Sequence, residues 1–337
     1  MKLPIENVKH ETFTLYNETT DDKYGFYPEK RTLKQRIDSG FILLDKPPHA
    51  RSKTAAAIAK KLISPLGVTK VGYSGTLDPN VTGLLPLAIN NANKVISVLL
   101  FGGKEYVALM HLHKEVEEEK LKKTFENFRG KIMQLPPVRS SVKRQYRERE
   151  IYYSEIIDIV DKNVLFKIGV QSGTYIRKFI SDLGDKLGVG ANMVELRRTK
   201  VSTLSEKNNL VTLQDLEDAM YYYEKENDEA LISYAFQNIE TAVDFLPKVY
   251  ISDSAVDVIC HGSPLAVPGI VKLNNFESGE TLSLSTLKGE LIGLGKAILS
   301  SKDILNGGKG LAVKTDSVVM KPGMYPKYEK KNITVAT

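Results

Sequence analysis

The chain has 337 residues, 42% of them hydrophobic, and 47 Lys and Arg against 41 Asp and Glu leave a net charge of +6. That length suits about two domains of ~150 residues each with buried cores, which points away from a disordered chain. A modest basic excess favours a polyanionic partner and is also common on ordinary soluble proteins. The single cysteine, Cys260, excludes an internal disulfide and a cysteine-rich zinc site and fits a reducing compartment. MKLPIENVKH at the start has no apolar signal core, and no run approaches the ~20 apolar residues of a membrane span. The expectation is a soluble, cytoplasmic protein.

Met1 to Lys30 is polar, with Gly25 and Pro28 as breakers, and carries no usable motif. Phe41 to Leu44 reads as a strand stopped at Lys46-Pro47-Pro48, after which Ser52 is expected to cap a helix marked by Ala55, Ile58, Ala59 and Leu62. The stretch Gly72 to Leu84, GYSGTLDPNVTGL, places Asp78 on a loop bounded by Gly72, Gly75 and Gly83. Asp78-Pro79 is by itself an ordinary helix start, and no Lys-Ser or Lys-Thr pair follows the glycines as a P-loop requires. Ala92, Val95, Ile96 and Leu99 recur at helical spacing, and Tyr106 to Leu112 reads as a strand. Glu115 to Glu119 is a solvated acidic run before a helix marked by Leu121, Phe125 and Phe128.

Arg139 to Glu150 holds Arg139, Lys143, Arg144, Arg147 and Arg149 behind Pro136-Pro137. Such a loop is either a solubilising hairpin or a phosphate-contacting arm. Ile156 to Ile159 and Val164 to Val170 read as strands about a turn at Asp161. A helix with Ile176, Phe179, Ile180, Leu183 and Leu187 on one face follows, ending at Gly188. Arg177 beside that apolar stripe calls for a carboxylate partner, and Asp182 is the local candidate. Leu213 to Ala235 is acidic around Tyr221-Tyr222-Tyr223 and carries no chemistry. From Lys248 to Met324, glycines punctuate short apolar runs, as in a compact β-rich module. Cys260-His261 lacks the further ligands of a metal site and reads as a packed cysteine and a turn histidine.

The pattern GxxGTLDPxxxGxL around Asp78 resembles the nucleophile motif of the TruB-type pseudouridine synthases. Lys46-Pro47 with Ser52, Lys104-Glu105-Tyr106, Gly173-Thr174-Tyr175-Ile176-Arg177 and Leu196-Arg197-Arg198-Thr199 resemble that family's other motifs, in order. Pro136 to Arg144 and Cys260-His261-Gly262-Ser263-Pro264-Leu265 resemble the archaeal relatives of dyskerin. The resemblance covers roughly residues 30–325 and implies an α+β catalytic domain with a mixed or antiparallel sheet, residues 31–246, followed by a small β-rich PUA domain, 247–325. Residues 1–30 would be an extension packing on the PUA domain, and 326–337, including Lys327 to Lys331, a basic tail.

By that resemblance Asp78 is the nucleophile, Arg177 its ion-pair partner, and Tyr106 stacks on the target base and is a candidate proton acceptor. Leu196 lines the base pocket. Tyr175, Lys46, Lys104, Arg139, Lys143 and Arg144 are the expected substrate contacts, with Lys309 and Lys314 as candidate RNA contacts in the PUA domain. No cofactor or metal is implied. The implied activity is isomerisation of uridine to pseudouridine in rRNA or tRNA as the catalytic subunit of an H/ACA guide-RNA particle. Its expected partners are guide and substrate RNA, a small glycine/arginine-rich-type subunit, a Nop-ten-type protein and a kink-turn-binding ribosomal-type protein. A stand-alone tRNA T-loop synthase and a non-catalytic guide-RNA scaffold are the alternatives. Two departures stand out: Arg144-Gln145-Tyr146 where the bacterial pattern has Gly-x-Arg, and Pro48-His49-Ala50 in place of a glycine-containing turn.

Overall fold

The computed structural model describes residues 1–136 and 143–327. The chain divides into two compact units: Met1–Val8, Ile42–Leu87 and Ser97–Ala235 form the first, and Lys9–Phe41, Ala88–Ile96 and the chain from Phe236 onward form the second. In chain order the elements begin with β1 (Thr12–Thr14), α1 (Leu33–Ser39), β2 (Phe41–Lys46), α2 (Ser52–Ile63), β3 (Val71–Tyr73), β4 (Thr82–Ile89) and β5 (Lys104–Leu112). There follow α3 (Glu118–Asn127), β6 (Gly130–Gln134), β7 (Arg147–Val160), β8 (Asn163–Val170), α4 (Ile176–Leu187), β9 (Ala191–Val201), β10 (Leu204–Ser205) and β11 (Leu210–Val211). The chain continues through α5 (Leu213–Tyr221), α6 (Ala230–Ala235), α7 (Ile239–Val243), β12 (Lys248–Ile251), α8 (Asp253–Cys260) and β13 (Leu265–Ala266). It closes with β14 (Ile270–Asn274), β15 (Thr281–Thr286), β16 (Leu291–Ala297), α9 (Ser301–Leu305) and β17 (Leu311–Val318).

In the first unit the sheet runs β11-β2-β4-β9-β5-β8-β7-β6, with β10 on β9 and β3 on β4. The pairs β2–β11 and β4–β9 are parallel, whereas β5–β9, β5–β8, β7–β8 and β6–β7 are antiparallel, so the sheet is mixed. Alternation along β8 turns Val164, Phe166, Ile168 and Val170 to one face, where α3 and α4 cover them. Helical spacing does the rest, for Ile176, Phe179, Ile180, Leu183 and Leu187 are all buried on α4. Phe125, Phe166 and Phe179 meet edge to face or tilted, with centroids 5.1 to 5.9 Å apart. Burying each such ring is worth ~1.5–3 kcal/mol, so this cluster is what fixes α4, and the residues at its start, over the sheet.

In the second unit the sheet runs β1-β14-β12-β15-β16-β17-β13. The short N-terminal strand β1 adds an edge by pairing Thr12 with Asn274 and Thr14 with Lys272. Val249, Ile251, Leu273, Leu282, Leu284 and Ile292 belong to its core. Cys260 is buried there, and the His261 ring hydrogen-bonds the Asp257 carbonyl (2.8 Å) at the end of α8.

Several local expectations change. Arg147 and Arg149 belong to the long strand β7, which pairs with β6, so the connecting segment is shorter than the basic loop read from composition. Pro137, Arg139 and the rest of 137–142 lie outside the described residues, as do residues 328–337 of the basic tail. Ala92 falls on one short 3-10 turn, Asn90–Lys94, and Ile96 and Leu99 on a second, Ile96–Leu100, with Val95 between them, rather than on one helix. Residues before Arg31 are divided, Met1–Val8 joining the first unit and Lys9 onward the second. Among the described residues no helix is long and apolar enough to cross a membrane.

Candidate active site

Asp78 is presented by a loop held at several points by the buried side chains of Ser52, Lys46 and Arg198. Asp78-Pro79 does not start a helix; the Asp78 carbonyl instead accepts from the Val81 amide (3.1 Å), a turn with proline in its favoured second position. Ser52 does not cap α2, since Arg51 stands there. The Ser52 hydroxyl donates to the Leu77 carbonyl (3.1 Å) and accepts from the Leu77 amide (2.8 Å). Lys46 is fully buried and its ammonium donates to the carbonyls of Pro47 (2.7 Å), Ala50 (2.7 Å) and Pro79 (2.9 Å). The residues on both sides of Asp78 are thus anchored from below. Burial pushes the Lys46 pKa down, and the nearby Asp78 carboxylate pulls it up.

The carboxylate itself faces outward. Arg177, second residue of α4, donates from Nη2 to Asp78 Oδ2 at 2.5 Å. The two side chains remain 57% and 58% exposed, so the pair adds little to stability and holds the carboxylate oriented while leaving it open to solvent. Asp182, the local alternative for Arg177, is taken by Lys178.

Behind the loop lies Arg198, 1% exposed. In the sheet it stands between Gly83 of β4 and Tyr106 of β5. Its Nε donates to the Leu84 carbonyl and its Nη2 to the Gly75 carbonyl, both at 2.9 Å. Two glycines of the motif are needed for this. A Cβ on Gly83 would sit 2.3 Å from the Arg198 carbonyl oxygen, and one on Gly75 would sit 3.0 Å from Arg198 Nη1, each at positive φ (97° and 74°).

Tyr106 is half-buried and, with Leu196, borders the apolar cluster beneath α4. Glu105 next to it points to the opposite face, where it is buried and accepts from the Tyr153 hydroxyl (2.5 Å) and the Thr199 hydroxyl (2.8 Å). Lys104 is buried as well. Its ammonium is surrounded by the carbonyls of Leu99, Leu100 and Gly102 and by the Ser172 hydroxyl, at 2.7 to 3.3 Å. Burial, and then the charge of Arg198, push it down to about 7. Lys46 and Lys104, expected to meet substrate, therefore spend their donors inside the fold; a lysine has three, and none is left for a phosphate.

Tyr175 caps the start of α4, where Gln134 clamps its backbone by accepting from the amide (3.0 Å) and donating to the carbonyl (3.2 Å). Lys143 and Arg144 are exposed. Arg144 lines a cleft of about 660 Å³ with Phe128, Ile132, Leu135, Tyr146 and Lys178, which does not include Asp78, Tyr106 or Arg177. His49 sits at φ 64°, the left-handed conformation that a glycine-containing turn supplies, and its ring hydrogen-bonds Asn80 Oδ1 (3.2 Å). In the second unit Lys309 and Lys314 are exposed.

Arg198 stands in the motif Leu196-Arg197-Arg198-Thr199, which by itself assigns it no role. The sequence does show two adjacent arginines that a strand turns to opposite faces; that Arg197 takes Asp45 and Glu206 while Arg198 is buried emerges only from the fold.

Residues 63–176 match the N-terminal domain of the TruB family pseudouridylate synthases and 177–244 the tRNA pseudouridylate synthase B C-terminal domain. A probable tRNA pseudouridine synthase B of Thermococcus onnurineus is 48% identical over 309 residues, 91% of this chain and 92% of that protein. The chain belongs to the TruB family of pseudouridine synthases. Residues 247–319 match the PUA domain and 2–52 the DKCLD domain, which places this TruB-family member on the dyskerin-like branch. It is similar to a chain of a Cbf5-Nop10-Gar1 complex, with a TM-score of 0.92 and 45% identity over 97% of this chain and 98% of that one. A second similar structure is an H/ACA RNP bound to a substrate RNA containing 2′-deoxyuridine, with a TM-score of 0.91 and 42% identity over 97% of this chain and 100% of that one.

Proposed function

We propose that this pseudouridine synthase is the catalytic subunit of an H/ACA guide-RNA particle and that Asp78 is its nucleophile. The observation that carries the assignment is a carboxylate held at 2.5 Å by Arg177 yet open to solvent, on a loop whose flanking residues are fixed. The reaction breaks the bond between ribose C1′ and uracil N1, turns the ring, and joins C1′ to C5; the C5 proton leaves and N1 gains one. No electrons are gained or lost. An ionised carboxylate can attack the sugar or the ring as covalent catalyst, and Arg177 keeps it aimed. Tyr106 stacks on the extruded uracil, a contact worth ~1–3 kcal/mol per base, and Leu196 and Tyr175 wall the pocket so the free base is retained.

Lys143 and Arg144, exposed on the β6–β7 connection, supply salt-dependent backbone contacts, as do Lys309 and Lys314 in the PUA domain. The likeness to chains solved with Nop10, Gar1 and substrate RNA supports the same partners here; a kink-turn-binding protein is a further partner that the family resemblance implies. A buried lone thiol supports a cytoplasmic location. The relatives' name, tRNA pseudouridine synthase B, favours a second reading, direct action on tRNA.

Tritium release from C5-labelled uridine RNA tests both. Release that needs a matched guide and the partner proteins supports the particle. Release from tRNA with protein alone favours the stand-alone enzyme, and no release in either setting with guide binding intact leaves a scaffold.

A further inference from the structure

We propose that Glu105 is a positioning residue: from the back of the sheet it fixes the bulge in β9 that sets the direction in which Tyr106 faces the target base. The inference deepens the functional assignment above and rests on it. Glu105 is the middle residue of Lys104-Glu105-Tyr106, and the motif assigns it no role. It is 6% exposed, and its carboxylate accepts from two hydroxyls, those of Tyr153 on β7 (2.5 Å) and Thr199 on β9 (2.8 Å).

Both hydroxyls stand at breaks in the strand register. Along β9 the pairing steps from Lys200 to Arg198 while β5 steps from Glu105 to Tyr106, so Thr199 is an extra residue with no opposite number. That bulge turns Thr199 and Lys200 toward the same face, and both reach Glu105, Lys200 at 3.8 Å. Along β7 the pairing steps from Ile151 to Tyr153 while β8 steps from Val170 to Gly169, leaving Tyr152 extra. The Tyr153 ring then lies across Gly169, where a Cβ would sit 2.3 Å from its Cζ, and its hydroxyl arrives at the residue that Gly169 pairs with on β5, Glu105. A bulge bends its strand and increases the local twist, so its place decides how the side chains across from it are aimed. The side chain just past the bulge in β9 is Tyr106.

The N-terminal segment closes the arrangement. Lys200 is shared between Glu105 and Glu6, whose carboxylate it meets at 3.0 and 3.2 Å, and Glu6 also accepts from the Leu3 amide (2.6 Å). Leu3 is wholly buried, and a Cβ on Gly103 would sit 3.2 Å from its Cδ2. Met1–Val8 belongs to the same unit as this sheet. Removing the Glu105 carboxylate strands two hydroxyls in a buried setting and frees the bulge to shift its register.

The experiment is a double-mutant cycle on the full chain in whichever assembly is active. It uses wild type, Glu105→Ala, Tyr106→Ala and the double variant, reading single-turnover tritium release and half-saturating RNA concentration. Glu105→Ala is expected to slow release on the order of 100-fold, as for a small misplacement at the reacting site, with the half-saturating concentration changed less than about threefold. Glu105→Gln is expected to stay within about fivefold of wild type, because its amide still offers each hydroxyl a partner. In the Tyr106→Ala background, Glu105→Ala is expected to cost less than about threefold, since the ring it aims is gone.

Equal costs in both backgrounds, an unchanged rate, a loss confined to RNA affinity, or Glu105→Gln as slow as Glu105→Ala would overturn the proposal. Should Glu105→Ala fail to fold, Thr199→Val takes its place in the cycle, keeping the branched shape and losing the hydroxyl. Its expected loss is about tenfold, shrinking below about threefold without the Tyr106 ring; an unchanged rate or equal costs sink the role. Asp78→Asn runs alongside to separate two failures. Full activity in it defeats the site assignment itself, whereas equal costs with Asp78→Asn inactive defeat only the role of Glu105.

Discussion

The two units each hold a carboxylate facing an arginine, and they place it oppositely. In the first unit Asp78 meets Arg177 in the open, more than half exposed, while the cations beneath it, Lys46, Lys104 and Arg198, are buried against backbone oxygens. In the second unit Glu290 is wholly buried. It accepts from Tyr325 (2.8 Å), with Arg31 3.6 Å from its other oxygen and Arg31 also paired to Glu240 (2.9 Å). A buried pair is costly to break because it strands a charge, and an exposed pair is cheap to break. Glu290 thus belongs to the scaffold. Asp78 is carried by a scaffold and contributes little to it, which leaves its charge free for chemistry.

The comparison can be broken at either end. Glu290→Ala leaves the buried Tyr325 hydroxyl without its acceptor and Arg31 with Glu240 alone, and is expected to destabilise the fold by about 1–3 kcal/mol in urea unfolding, with release per folded molecule unchanged. Arg177→Gln should do the reverse. Release is expected to fall about 100- to 1000-fold, the range for losing one preorganised charge partner, with melting unchanged within about 2 °C. If Arg177→Gln unfolds the protein instead, the open pair is structural and the contrast fails.

Lys46→Met sharpens the account of the buried cations. It frees the carbonyls of Pro47, Ala50 and Pro79, and release should slow about 10- to 100-fold through a displaced loop. RNA affinity and its salt dependence should stay as in wild type. A reduced salt slope would return Lys46 to the phosphate contacts.

The smallest effect is at Cys260. Burial, then Asp257 and Glu290, push its thiol from 9.0 up to about 12. The folded chain keeps that proton longer than the unfolded one. The contribution to stability is therefore level below about pH 9 and declines as pH rises from there toward 12. A thiol reagent at pH 8 should react with Cys260 only after unfolding, and rapid labelling of the native chain would place the thiol at the surface.

Patterns of side chains carried most of the fold in advance. Helical spacing marked α4 and α2, strand alternation marked β8, and glycine punctuation marked the β-rich second unit. What spacing did not carry was the partner of each polar group. Lys46 and Lys104 are cations in motifs, and a sequence does not say whether a lysine meets phosphate or carbonyls; the tertiary closure of the loops after β2 and before β5 decides it. Ser52 looked like a cap because it opens a helix, yet its hydroxyl serves Leu77 from a segment 25 residues away. Ala92 to Leu99 has helical periodicity but folds as two 3-10 turns, with the division between the units falling between Ile96 and Ser97. Arg198 is illegible in the sequence for the same reason: the carbonyls it holds, Gly75 and Leu84, are far from it in the chain.

The central claim is that Asp78 is presented by the fold and not part of what holds it together. The most direct measurement is single-turnover tritium release and thermal melting on one preparation of Asp78→Asn beside wild type. The account predicts a loss of at least about a thousandfold in release, in the range for a removed nucleophile, with melting shifted by less than about 2 °C. Release within about tenfold of wild type, or melting lowered by more than about 5 °C, would contradict it.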